Sequence, residues 1–204
     1  MLLVLPVATQ AEEMQILALG DSLTAGYGLP AEDGFVPQLQ AWLEERGVEV
    51  TIQNGGVSGD TTAGGRARIE WSLAPEVDAM IVTLGGNDIL RGIDPLVARD
   101  NLDAILDIAD QRGLPVLLVG LYASQNFGAD YKAMFDAIYP KLAEEHGTLL
   151  EPNFFQGLGD GVDPAAYRRF MQADGIHPNA EGVQRIVARI GPRVEELMQQ
   201  VEAQ

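Results

Sequence analysis

The sequence predicts an α/β fold in which a parallel sheet is covered by helices on both faces. Short apolar runs of strand length alternate with longer segments of helical period along the chain, which is the pattern of repeated strand–helix units. Two of the runs, "DAMIVTLG" and "LPVLLVGL", are nearly continuous in apolar residues, as strands buried on both faces are. No linker, repeat or low-complexity stretch interrupts the 204 residues, a length that suits one domain with a proper core.

"MQILAL" reads as the first strand. "FVPQLQAWLEERG" follows as a helix, with Phe35, Leu39 and Leu43 on one face and Gly47 as its stop. "VEVTIQ" alternates as a second strand. "TAGGRARIEWSL" is a short helix ended by Pro75, and "DAMIVTLG" is the third strand. "DPLVARDNLDAILDIADQRG" is a helix with Asp94 as N-cap, Pro95 at its first position and Gly113 at its exit. "LPVLLVGL" is the fourth strand. "ADYKAMFDAIYPKLAEEHG" is helical with a kink expected at Pro140. "TLLEP" is a short fifth strand, and "NAEGVQRIVARIGPRVEELMQQ" is the closing helix.

Composition narrows the function. Thirteen Lys and Arg against thirty Asp and Glu give a net charge of −17, so phosphate backbones are repelled and nucleic acid is not expected as a partner. The chain has no cysteine, which removes disulfides, thiolate nucleophiles and cysteine metal sites. Residues 1–11, "MLLVLPVATQA", are apolar and end in small residues that suit cleavage before Glu12, although no Lys or Arg precedes them. They read as a shortened secretory leader, with a plain N-terminal tail as the alternative; residues 12–204 then form the single mature domain. The expected location is periplasmic or secreted, or cytoplasmic if the segment is no leader. The apolar stretch is too short to span a bilayer, which takes about 20 residues, so no stable membrane insertion is expected.

In parallel α/β sheets ligands bind beyond the carboxyl ends of the strands, so the strand exits are where chemistry is sought. "GDSLTAG" with Ser22 follows the first strand, "NGGVSGDTTAGG" with Gly59 the second, and "GGND" with Asn87 the third. "DGIHPN", with Asp174 and His177, precedes the last helix and reaches the same edge if that helix packs back beside the first strand. Acyl transfer needs a nucleophile, a base, a group that orients the base, and donors for the oxyanion. His146 and His177 are the two histidines. His146 near a helix C-terminus is accounted for by the helix dipole. His177, three residues after Asp174, is therefore the candidate base for Ser22. The Gly59 N–H, the Asn87 amide and the Ser22 N–H are candidate oxyanion donors. Each piece has an ordinary reading as well: an N-cap turn at Asp21-Ser22, an Asx turn at Asn87-Asp88, a flexible glycine loop, and a loop histidine before a proline. Their joint occurrence at the right strand ends favours a site.

These four blocks, "GDSLTAGYG", "NGGVSGDTTAGG", "LGGNDILRG" and "DGIHPN", resemble those of the SGNH hydrolases, also called the GDSL esterase/lipase family. The likeness runs from about Met14 to the C-terminal helix and is nearest to the small bacterial arylesterases and the thioesterase I/lysophospholipase L1 type. The resemblance implies a three-layer α/β/α sandwich on a flavodoxin-like sheet of five parallel strands, with no metal or organic cofactor. It also implies Ser22 as nucleophile, Gly59 and Asn87 as oxyanion donors, His177 as base and Asp174 as its orienter. The sequence departs from many relatives at Ser124 and Gln125, where a proline pair is common, and at Met171, where asparagine is common. These changes bear on the acyl pocket and leave the implied catalytic set intact.

The expected substrates are aryl or short-to-medium acyl esters, with acyl thioesters and lysophospholipids as further possibilities, and the expected state is a monomer. A polysaccharide acetyl esterase would use the same machinery. A binding module without activity is the rival from another class, and loss of a catalytic residue would mark it; all are present here.

Overall fold

The computed structural model describes residues 13–159 and 167–204; the expected leader over residues 1–11 lies outside them. The strands are β1 (Met14–Gly20), β2 (Val50–Gly56), β3 (Ala79–Thr83), β4 (Val116–Val119) and β5 (Leu149–Glu151). They form one parallel sheet in the order β2-β1-β3-β4-β5. The α-helices among the described residues are α1 (Ser22–Ala25), α2 (Phe35–Glu44), α3 (Thr62–Ser72), α4 (Gly86–Arg91), α5 (Pro95–Gln111), α6 (Ala129–Asp136), α7 (Ile138–His146) and α8 (Ala180–Glu202).

Right-handed crossovers decide the layers. The chain leaves β1 in one direction to make β2, so α2 covers one face. It then reverses to build β3, β4 and β5, and α3, α5 and α7 cover the other. α8 returns to the first face and packs on α2 and across β3, β4 and β5. Its start lies at the sheet edge next to α2, with β3, the neighbour of β1, beneath the helix. Gln38 of α2 donates to the Ala180 carbonyl at 3.1 Å and pins the start of α8.

Local sequence accounts for most boundaries. Phe35, Leu39 and Leu43 are fully buried on the inner face of α2. All five residues of β3 are buried, as its unbroken apolar run requires. Asp94 caps α5 by accepting the Leu96 N–H, and Pro95 takes the first position. The segment around Pro140 differs from the expected kink: α6 and α7 are separate helices joined at Ala137. A proline at 140 has no N–H for the Asp136 carbonyl, and its ring crowds that carbonyl, so the helical ladder is interrupted there.

His146 also differs from expectation. It does more than meet the dipole of α7. Its Nδ1 lies 2.6 Å from Asp110 and its Nε2 2.9 Å from Asp103, both on α5. Burial alone would lower its pKa, but the hydrogen bonds to Asp110 and Asp103 outweigh that and raise it above the ordinary 6.5. When protonated, the imidazole donates from both nitrogens and clamps two helices of one layer. A raised histidine pKa contributes stability that is complete below 6.5 and is lost as pH rises through the raised value. His146→Ala should lower the unfolding free energy by about 1–2 kcal/mol at pH 6. At pH 9 the loss should be smaller, as measured by urea denaturation at both pH values.

Candidate active site

The first constraint is close packing at the exit of β1. A Cβ on Gly20 would lie 2.0 Å from the Thr24 hydroxyl and 2.9 Å from the Thr83 carbonyl. The Gly20 carbonyl accepts from Val57 N–H at 3.0 Å and from the Arg68 guanidinium at 2.8 Å. The chain then turns at once into α1. Asp21 is its N-cap, with Oδ1 accepting the Leu23 N–H at 3.0 Å. The N-cap reading of this motif is therefore correct for Asp21, and the cap is what delivers Ser22 at the first helical position.

The Asp174–His177 loop meets Ser22 from the start of α8. Asp174 Oδ1 accepts the N–H groups of Ile176 (2.9 Å) and His177 (3.1 Å). Its Oδ2 lies 2.6 Å from His177 Nδ1, and His177 Nε2 lies 2.9 Å from Ser22 Oγ. The hydrogen bond from His177, and then the two backbone N–H groups, lower the Asp174 pKa to about 2. An ionised carboxylate only accepts, so Nδ1 carries a proton, and Nε2 is the ring nitrogen that faces the serine hydroxyl. The loop is held by an isolated bridge between Met171 and Pro178 and by Gln172 N–H donating to the His177 carbonyl at 2.8 Å. The Gln172 amide also donates to the carbonyls of Pro178 (3.0 Å) and Tyr27 (2.8 Å). The Tyr27 ring lies against the imidazole, with centroids 4.7 Å apart.

Gly59 and Asn87 lie at the same edge. In the sheet, Gly20 is level with Gly56 of β2 and Thr83 of β3, so both residues sit a few positions beyond the line from which Ser22 departs. Gly59 has φ +87, a conformation glycine adopts without the penalty of a side chain. Its carbonyl accepts from Arg91 at 2.8 Å. Asn87 is in the first turn of α4, and its Nδ2 lies 3.3 Å from Asp21 Oδ2. The Asx-turn alternative at Asn87-Asp88 is thus replaced by a helix. Asp88 is fully buried and accepts from the Thr62 N–H (2.9 Å) and hydroxyl (2.7 Å). That pair joins the loop carrying Gly59 to the helix carrying Asn87.

Sequence reasoning missed Asp21, Arg68, Asp88 and Gln172, which hold the site's segments together. Burial pushes the Asp21 carboxyl up from 3.8 to about 6, against the lowering effects of the Leu23 N–H, the Asn87 amide and His177. The clue available for Asp21 and Asp88 was an acidic residue inside an otherwise apolar and glycine-rich block, which burial makes conspicuous. Ser124 caps the short 3-10 turn Gln125–Phe127, and Met171 contributes to the bridge beneath His177. Asp107, Asp110 and His146 place ligand-type atoms within 4.8 Å of one another. Both imidazole nitrogens there already face carboxylates, and the C-terminal ends of α5 and α7 lie at the opposite edge of the sheet from Ser22.

Residues 18–185 match the family described as GDSL-like Lipase/Acylhydrolase. The chain is 38% identical over 190 residues to "Esterase TesA" of Pseudomonas aeruginosa, covering 93% of this chain and 92% of that one. It is 35% identical to "Thioesterase 1/protease 1/lysophospholipase L1" of Escherichia coli, over 81% of this chain and 76% of that one. The solved structure of AlinE4, described as an SGNH-hydrolase family esterase, superposes with a TM-score of 0.74 at 41% identity, covering 92% of this chain and 98% of that one.

The Thr62–Asp88 pair generates a prediction. Thr62→Val keeps the shape but removes the hydroxyl that Asp88 Oδ1 accepts from at 2.7 Å. Leaving that buried oxygen without its donor should cost about 1–3 kcal/mol of stability, read as a lower urea midpoint at unchanged slope.

Proposed function

The chain belongs to the GDSL-like lipase/acylhydrolase family of ester-bond hydrolases, and from that premise we propose that it cleaves carboxylic esters through Ser22, His177 and Asp174. The observation that carries this is the continuous hydrogen-bonded line from Asp174 through His177 to Ser22 at the sheet edge. His177 Nε2 takes the hydroxyl proton as Ser22 Oγ attacks the carbonyl carbon. The Ser22 and Gly59 N–H groups and the Asn87 amide stabilise the oxyanion. His177 then gives its proton to the leaving group, and water repeats the cycle on the acyl-serine. Asp174 holds the imidazole tautomer and offsets its charge when protonated.

The surroundings support aryl or short-to-medium acyl substrates over acetylated sugars. Tyr27, Val57, Leu90 and Ile176 are exposed apolar side chains on the segments that carry the site. Leu90 is three residues from Asn87, on the same face of α4. Exposed apolar side chains on these segments favour an apolar acyl or aryl group, whereas a sugar would need polar partners. Acyl thioesters and lysophospholipids also carry such apolar groups. The net charge of −17 opposes self-association, which supports a monomer. Among the described residues no helix is long and apolar enough to cross a membrane.

Aryl ester, acyl thioester, lysophospholipid and acetyl-sugar substrates tested side by side identify the substrate class. Ser22→Ala should abolish hydrolysis in a folded protein; wild-type turnover there would overturn the assignment. His177→Ala should lower kcat/KM by several orders of magnitude, and Asp174→Asn by as much or less. The double variant should be little worse than His177→Ala, because Asp174 acts through His177; a multiplicative loss would separate the two residues.

The leader reading carries its own expectation. Residues 1–11 are proposed to be removed on export to the periplasm or beyond, leaving a single domain from Glu12. Intact-mass measurement of exported protein should give a chain starting near Glu12, whereas recovery of only the full-length chain from cytoplasm would refute it.

A further inference from the structure

We propose that Asp21 is a positioning residue for the reaction: its second carboxylate oxygen takes one Nδ2 hydrogen of Asn87 and so fixes which end of that amide faces the oxyanion. The proposal rests on the esterase reading above, with Asn87 as an oxyanion donor.

An asparagine amide has nearly the same shape either way round, so packing alone barely distinguishes its nitrogen from its oxygen. The choice matters here. Nitrogen towards a developing oxyanion stabilises it, and oxygen repels it. Asp21 Oδ2, 3.3 Å from Asn87 Nδ2, decides the question because an acceptor selects nitrogen. The nitrogen carries two hydrogens, so one remains for the substrate. Among the described residues, no other hydrogen bond constrains the Asn87 side chain.

Asp21 divides its two oxygens between two tasks. Oδ1 caps α1 through the Leu23 N–H, and a serine or an asparagine would do that as well. Oδ2 is left for Asn87. The neighbour of Asn87 is built to admit it: a Cβ on Gly86 would stand 3.0 Å from Asp21 Oδ2. The carboxylate is buried, so water does not compete for the contact. Three titratable groups influence this pocket. His177 favours the ionised form of Asp21 and Asp88 disfavours it, and the buried Tyr139 hydroxyl senses the charges of both aspartates.

The test separates capping from positioning. Asp21→Asn and Asp21→Ser keep a capping side chain but remove the charged second oxygen. Each should lower kcat about tenfold or more, a misaimed donor costing less than a deleted one, with KM within about twofold. Introduced into Asn87→Ala, either change should cost little further, since its effect passes through Asn87. Wild-type kcat in the Asp21 variants, a loss confined to KM, or a full multiplicative loss in the Asn87→Ala background would overturn the proposal. Should the variants not fold, the Asn87 side-chain amide can be followed by NMR in His177→Ala, which removes the imidazole's own titration. One Nδ2 proton should be shifted well downfield from the other and move as Asp21 titrates, somewhat above the wild-type value of about 6 because the lowering effect of His177 is gone. Two protons resembling a free amide, unmoved over that range, would refute it. An unimpaired Asn87→Ala enzyme would instead remove the oxyanion assignment itself. A slow Asn87→Ala enzyme beside unimpaired Asp21 variants removes only the present proposal.

Discussion

The site depends on how tightly the chain packs where β1 ends. Gly20 has no room for a Cβ, because Thr24 and the Thr83 carbonyl already fill the space. Its own carbonyl, at the end of the β1–β2 ladder, is satisfied by Val57 of the next loop and by Arg68 of α3. Arg68 also holds Asp60 at 2.7 Å, the residue after Gly59. The turn carrying Ser22 and the loop carrying Gly59 are therefore fastened to one backbone atom. A side chain at position 20 would move both at once, and a small displacement of reacting groups is enough to slow chemistry greatly.

Two aspartates at this edge illustrate how environment sets the role of one residue type. Asp174 accepts three hydrogen bonds near solvent, from the His177 ring and two backbone N–H groups, and its pKa falls to about 2. It is ionised throughout the neutral range, as the partner of an imidazole must be. Asp21 is buried beside a single amide and a cap, and its pKa rises to about 6. Keeping it charged at neutral pH costs on the order of 3 kcal/mol of folding stability, from the rise above its ordinary 3.8. That destabilisation grows as pH rises from about 4 to about 6 and then levels off. A fold tolerates such a buried charge where the geometry it imposes is useful.

The two proposed oxyanion segments are coupled by a second buried acid. Asp88 is fully buried and uses both oxygens on Thr62, whose hydroxyl also accepts from Asn101 at 3.2 Å. Asn101 in turn accepts from Arg66 at 3.3 Å. This chain of contacts crosses α4, α3 and α5, so the segments carrying Gly59 and Asn87 are tied to one helical layer while the His177 loop leads into α8 on the opposite face. Preorganised donors of this kind stabilise developing charge without reorganising during the reaction.

The sequence by itself determined the layered architecture and the residues of the proposed site. Alternating short apolar runs and helical periods are local signals, and they located all five strands and the long helices, including the capped start of α5 at Asp94 and Pro95. Ser22, Gly59, Asn87, Asp174 and His177 were legible because each lies just beyond a strand or before the last helix, and parallel topology brings those points together. What the tertiary structure alone decided involves partners far apart in the chain. His177 meets Ser22 across 155 positions, and Asn87 meets Asp21 across 66. His146 finds Asp103 and Asp110 on another helix, where the sequence offered only its own helix terminus. The aspartates Asp21 and Asp88 read as ordinary turn or cap residues until the fold buried them. Local pattern records which face a residue turns to the core. Which polar group waits there is set by packing between elements, and no local spacing encodes it.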